Sequence, residues 1–123
     1  MISLARASVL AVSALVAGIA FAADVSGTWT ASFETQVGTQ TYTFDLHAQG
    51  NALTGKTKGN LTGENPISDG KVDGNKISFV EKATYQGMPL VFNYIGELKG
   101  DQINFKRELM GFMPEEFDAK RAK

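Results

Sequence analysis

Cysteine is absent from this chain of 123 residues, and histidine occurs only once, as His47. Without cysteine no disulfide can stabilise the fold, so strand pairing and apolar packing must do so. Zinc sites of ordinary composition lack their ligands here. His47 is out of phase with its apolar neighbours and should face solvent, which argues against a Ser-His-Asp arrangement. We therefore expect no metal site, no cofactor and no enzyme activity.

Neither sign of charge dominates, since 12 Lys and Arg residues stand against 13 Asp and Glu residues, for a net charge of −1. There is no basic stripe, so nucleic acids and anionic membrane surfaces are not expected partners. No stretch after the N-terminal region sustains a helical period of apolar residues. The chain is therefore predicted to be all-β.

The one long apolar run lies at the N-terminus. Residues 7–20 are almost all apolar, follow the basic Arg6 and precede the small-x-small sequence Ala20-Phe21-Ala22. This layout is typical of a secretory signal peptide, and the run is short for a membrane span. We predict a cleaved signal peptide at residues 1–22 and one folded domain at residues 23–123, exported to the periplasm or the medium, with no membrane span. A retained membrane anchor is the alternative.

What the sequence does contain is a repeated hairpin signal. Gly-Asn or Gly-Asp corners occur at Gly50, Gly74 and Gly100, each followed by alternating apolar residues. The pattern predicts a single eight-stranded antiparallel up-and-down β-barrel. Its strands are expected near residues 27–35, 40–47, 52–58, 67–72, 76–84, 90–99, 102–108 and 115–121.

The two ends of such a barrel should differ. In an up-and-down order the three glycine corners fall at one end, beside Trp29 and Arg121, and we call this the closed end. The other end, called the open end, should receive irregular loops. We expect these loops to contain all three prolines and Met88, Met110 and Met113.

The opening Gly27-x-Trp29 with the late Arg121 resembles the calycin superfamily of lipocalins, fatty-acid-binding proteins and avidins. Residues 117–122 are similar to the last strand of avidin-like barrels, and residues 50–55 to their third. The whole predicted domain is also similar to uncharacterised exported bacterial domains with the same corners. The resemblance implies that Trp29 packs at the closed end with Arg121 across it. Avidins line their biotin pocket with several Trp residues and this chain has one, so biotin binding is not expected.

Glu81 and Arg107 are charged, yet each lies two residues beyond an apolar residue that is expected to face the interior. The alternation along their strands therefore places both side chains inside the barrel. Burying either charge alone is costly, so we expect them to pair with each other, with Tyr94 or with water near the open end. One interpretation is a structural ion pair that plugs the barrel. The other is an orienting group for an amphiphilic ligand, whose carboxylate or phosphate would suit the planar fork of Arg107.

We predict a non-enzymatic small binding protein that takes a small apolar or amphiphilic molecule at the open end. The predicted ligand-binding residues face the lumen or lie on its rim: Phe33, Tyr42, Glu81, Phe92, Tyr94, Arg107, Met88, Met110 and Phe112. The alternative is a protein-interaction module, such as an inhibitor or accessory domain, that uses the rim loops at residues 85–89 and 110–114. An enzyme with a lone carboxylate such as Glu81 comes third. A cavity on the order of a few hundred Å³ would favour the ligand, whereas a filled interior with apolar rim loops would favour the protein partner.

Overall fold

The computed structural model describes residues 24–109 and 114–122. The predicted signal peptide at residues 1–22 and the predicted site residues Met110 and Phe112 lie outside the described residues. The described part contains eight strands: β1 Gly27–Thr35, β2 Gly38–Gln49, β3 Ala52–Gly59, β4 Gly63–Asp73, β5 Lys76–Tyr85, β6 Met88–Lys99, β7 Gln102–Leu109 and β8 Glu115–Arg121.

These strands form one closed antiparallel barrel, in which each strand pairs with the next and β8 returns to β1. The predicted all-β, eight-stranded, up-and-down barrel is confirmed. Along most strands burial alternates, which places one set of side chains in the interior and the other in solvent, as the sequence alternation predicts, whereas β4 has only partly buried and exposed residues. No helix long and apolar enough to cross a membrane occurs in the part of the chain that the structure describes.

The closed end is built as the sequence indicates. The Trp29 indole is buried and donates a hydrogen bond from Nε1 to the carbonyl of Val25 at 2.9 Å. The guanidinium of Arg121 lies 4.3 Å from the Trp29 ring and donates to the carbonyl of Ser26 at 2.9 Å. The corner glycines Gly74 and Gly100 have φ values of 63° and 64°, which suit glycine because it has no Cβ.

Strand boundaries at the open end differ from the prediction. β4 begins at Gly63 and includes Pro66, and β6 begins at Met88, so neither that proline nor Met88 lies in a loop. Pro66 is tolerated because it lies beside a register shift in the β3–β4 ladder, and prolines occur at such irregular positions. The β5–β6 hairpin is tight because Gln86 and Gly87, with φ of 52° and 79°, make a two-residue turn. That turn brings Met88 and Pro89 into the ladder.

The barrel is least tightly closed between β1 and β8. Backbone pairing there covers Trp29 with Arg121 and Thr30 with Lys120 only, whereas β1 pairs with β2 over its whole length. Residues 31–35 of β1 therefore face residues 115–119 of β8 without a ladder, and we call this boundary the seam. The rings of Phe33 and Phe117 stack across it, with centroids 3.9 Å apart.

Candidate binding site at the open end

Strands β5, β6 and β7 bring the two unusual charges together. Glu81 is opposite Phe92 in the β5–β6 register, and Tyr94 is opposite Arg107 in the β6–β7 register. The side chains of Glu81 and Arg107 are 0% and 1% exposed. The predicted inward orientation of Glu81 and Arg107 is confirmed, because both side chains point into the barrel.

The carboxyl group of Glu81 is held by hydroxyl groups. Its Oε2 accepts a hydrogen bond from Thr57 at 2.6 Å, and its Oε1 accepts from Tyr94 at 2.8 Å and from Tyr42 at 3.4 Å. The Tyr42 hydroxyl also lies 2.9 Å from the hydroxyl of Thr62. These donors come from β2, β3 and β6, so Glu81 on β5 connects strands across the interior.

Arg107 has a carboxylate partner of its own, on β8. Its Nε and Nη2 both donate to Oε1 of Glu115, at 2.8 and 2.5 Å. Its remaining hydrogen bonds run from Nη1 to the Tyr94 hydroxyl at 3.3 Å and from Nη2 to Oε1 of Gln40 at 3.4 Å. The opposed register of Arg107 and Glu115 in the β7–β8 ladder sets up this contact.

An ion pair between Glu81 and Arg107 was one of the predicted arrangements, and it does not occur among the described residues. Their predicted contact with Tyr94 does occur. The Tyr94 hydroxyl donates to Glu81 and accepts from Arg107, so it separates the two charges while contacting both. The prediction of a direct pair was wrong because the partner of Arg107 comes from the strand on its other side.

Aromatic rings surround the guanidinium of Arg107. Its Cζ lies 4.1 Å from the ring centroid of Phe92, 5.1 Å from Phe33, 5.4 Å from Tyr42 and 5.9 Å from Tyr94. A cation within about 6 Å of an aromatic ring is attracted to its face, and the attraction grows when water is excluded. The rings therefore help to stabilise a charge that burial alone would disfavour.

Burial and electrostatics fix the protonation of two groups in this network. Burial, with a further contribution from Glu81, raises the pKa of the Tyr94 hydroxyl well above its ordinary value. Burial alone lowers the pKa of the Arg107 guanidinium, but the contacts with Tyr94, Tyr42 and Glu115 more than offset this, and the pKa is raised. Tyr94 therefore stays neutral and Arg107 stays charged across the physiological pH range.

Below this network the interior is packed with rings. Phe44 is 5.0 Å from Phe105 between ring centroids, and Phe79 is 4.6 Å from Tyr94. Every buried side-chain polar atom of the described residues has a hydrogen-bond partner. Two shallow depressions lie on the outside of the barrel, one lined by residues 51–52 and 70–74 and one over the outer face of β1, β2 and β8.

The structure brings together six of the predicted site residues, and these are Phe33, Tyr42, Glu81, Phe92, Tyr94 and Arg107. Met88 is not among them, because its side chain is exposed at the start of β6. In the ranges 24–109 and 114–122 no group of three or more His, Cys, Asp or Glu side chains is arranged to hold a metal ion.

Three polar residues of the network were missed in the sequence, and they are Gln40, Thr57 and Glu115. Each lies at an inward position of its strand, in phase with buried neighbours. The inward-facing positions of β2, β3 and β8 alternate with outward-facing ones, and following that alternation to polar residues would have identified all three.

Comparison of the sequence with protein-family models and with curated proteins, and of the structure with solved structures, finds no match. The fold is an eight-stranded antiparallel closed barrel, which fits a calycin-like fold in general.

Proposed function

We propose that this chain is an exported, non-enzymatic binding protein of calycin-like architecture, and that it binds a protein partner with the rim of its open end. The observation that carries the proposal is the packed interior, since rings and a satisfied polar network occupy the space that an enclosed ligand would need. A barrel of eight strands is just wide enough either to be filled by side chains or to hold one small ligand. Here the described side chains fill it.

Exposed apolar side chains at the rim support a partner there. Val37, in the β1–β2 turn, is 54% exposed, and Met88, at the start of β6, is 62% exposed. Both lie at the open end, on the β1–β2 and β5–β6 hairpins, and methionine adapts its shape to different contact surfaces. Among the residues that the structure describes, the outer wall has one comparable residue, Ile95, which is also 62% exposed.

The inaccessibility of Glu81 supports the non-enzymatic part of the proposal. A general acid or base must come within hydrogen-bond reach of the group that it serves. Glu81 is 0% exposed, and both of its oxygens already accept hydrogen bonds from hydroxyl groups of the chain. A substrate would have to displace Tyr94 or Thr57 before it could touch this carboxyl group.

Site-specific photo-crosslinking tests the rim proposal. A photoreactive amino acid replaces Met88 in one variant and Ile95 in the control, because the two positions have the same exposure but lie on the rim and on the wall. We expect a discrete adduct with one protein from position 88, reproduced from Val37, and none from position 95. Equal adducts from positions 88 and 95, or none from either rim position, would contradict the proposal.

A second candidate function is the binding of a small amphiphilic molecule with an anionic head group at the open end. The specific observation that favours it is the partner of Arg107, since Glu115 is a partly exposed carboxylate, with 33% of its side chain accessible. With the interior packed, such a ligand would lie at the mouth, against Phe33 and Phe92. Native mass spectrometry of the protein purified from its own host should then show a bound small molecule, and the bare mass of the chain in every preparation would contradict this function.

A further inference from the structure

We infer that the guanidinium of Arg107 is a carboxylate-binding site that the chain's own Glu115 fills, and that a small external carboxylate with an apolar body replaces Glu115 there. The inference rests on the second candidate function and gives its ligand class. It is independent of the rim proposal, because it concerns the interior side of the mouth.

The contact between Glu115 and Arg107 uses only one of the two oxygens of the Glu115 carboxylate. One oxygen, Oε1, accepts from both Nε and Nη2, at 2.8 and 2.5 Å. An unconstrained carboxylate meets this edge of a guanidinium with one oxygen on each nitrogen. Oε2 of Glu115 has no hydrogen bond to the other described residues. An external carboxylate therefore has a better geometry available than the tethered side chain achieves.

The two partners are anchored very differently. Arg107 is 1% exposed, is surrounded by rings and donates to Tyr94 and Gln40, so it stays in place when Glu115 leaves. Glu115 is the first residue of β8 and lies on the seam, where no ladder joins β8 to β1. Departure of the Glu115 side chain leaves a buried cation without an anion, while the backbone of Glu115 stays opposite Arg107 in the β7–β8 ladder. A vacated site of this kind favours an incoming anion strongly, because an unpaired buried charge is costly.

The surroundings define the ligand. The head group meets a planar fork whose present partner is a carboxylate, so a carboxylate fits the vacated space. The body meets the rings of Phe33 and Phe92, of which Phe33 is half-buried and reaches the mouth. The packed rings below exclude a long chain. The class is therefore a small aromatic or short aliphatic carboxylate rather than a long-chain fatty acid.

Chemical rescue tests the site with defined probes. Glu115→Ala removes a fragment equal in size to acetate, so acetate should restore what the substitution removes. We expect the thermal midpoint of Glu115→Ala to rise saturably with sodium acetate, but not with sodium chloride at equal ionic strength or with acetamide. Phenylacetate should act at about a tenfold lower concentration, because its ring gains apolar contacts. If Glu115→Ala folds poorly, its refolding yield with and without acetate gives the same readout.

Two control variants separate this site from general anion effects. Glu116→Ala alters the exposed neighbour on the outer face and should not respond to acetate. Glu115→Ala combined with Arg107→Met should lose the response. Acetate and chloride acting equally on Glu115→Ala would overturn the inference. If phenylacetate raises the thermal midpoint of Glu115→Ala but not that of the wild-type chain, the claim that an external carboxylate displaces Glu115 is overturned. Neither outcome affects the cross-linking test of the rim.

Discussion

Replacing Glu81 with leucine tests whether the buried carboxyl group is needed as a hydrogen-bond acceptor. In Glu81→Leu the Tyr94 hydroxyl loses the acceptor that lies 2.8 Å away and has no other among the described residues. Thr57 keeps only the carbonyl of Asn65, at 3.5 Å, whereas Tyr42 keeps Thr62 at 2.9 Å. A buried polar group without a partner costs about 1–3 kcal/mol. Only Tyr94 loses its sole acceptor, so we expect the free energy of unfolding to fall by about 1–3 kcal/mol from this hydroxyl, with a smaller further loss from Thr57.

The single tryptophan of the chain provides the assay. Trp29 is buried, so its fluorescence should report urea-induced unfolding of the wild-type chain and of every variant that retains it. Glu81→Gln is the matched control, because an amide keeps one acceptor oxygen for Tyr94, and it should lose less than half as much stability as Glu81→Leu.

The double variant gives the deciding result. If the cost comes from the stranded hydroxyl, then Tyr94→Phe should cost about 1–3 kcal/mol less in Glu81→Leu than in the wild-type chain. In both chains it removes the acceptor of Arg107 Nη1, but only in the wild type does it break the bond to Glu81. Strict additivity of the two substitutions would refute the reasoning, because it would mean that Tyr94 does not depend on the carboxyl group. The same result would remove the basis for treating these residues as one network.

Three further predictions concern the closed end, a corner and pH. Trp29→Ala should lower the free energy of unfolding by about 3–5 kcal/mol in circular dichroism melts, because it leaves a cavity at the closed end. A loss of less than about 1 kcal/mol would contradict the packing role of Trp29. Gly74→Val should cost about 1–2 kcal/mol through its positive φ, whereas Thr54→Val on the outer face should cost little. Because folding raises the pKa of Tyr94, its contribution to stability is complete below pH ~10 and is lost as the pH rises further. In Tyr94→Phe the free energy of unfolding should therefore fall less steeply with pH above pH ~10 than in the wild-type chain. The same dependence on pH in both chains would contradict this.

The sequence predicted the barrel because alternation and turn chemistry agree along most of the chain. The bounds of β1 and β8 match the expected residues 27–35 and 115–121. The errors lie at the open end, where proline and glycine were interpreted as loop signals. There the hairpin register overrides the local preference, since β3 pairs with β4 as far as Gly59 opposite Gly63, and Pro66 is carried into the ladder.

The candidate site was predicted in position but not in pairing. Parity assigns a side chain to a face of the sheet, and it placed Glu81 and Arg107 inside correctly. Which residues then touch depends on the register between strands, and parity does not specify register. Arg107 meets Glu115 because the β7–β8 hairpin sets these two residues opposite each other. The length of that hairpin's connection, rather than any local pattern, decides the pair.

The seam should be detectable by amide hydrogen exchange, and this bears directly on the release of Glu115. In an antiparallel strand, alternate residues direct both backbone groups to the same neighbour. The bond from the Ala122 amide to the Thr28 carbonyl shows that Thr28, and hence Ser32, faces β8, whereas Phe33 faces Gln40 on β2. Pairing with β8 stops at Thr30, so the Ser32 amide has no ladder partner.

We therefore expect the Ser32 amide to exchange much faster than that of its neighbour Phe33 in nuclear magnetic resonance measurements. The two residues share a strand and differ in the direction of their backbone groups, so Phe33 is a matched internal control. Equal protection of both would mean that β1 and β8 pair along their full length in solution. Glu115 would then lie between two ladders, with β7 and with β1, and the seam would no longer distinguish it as the side chain that is free to leave Arg107.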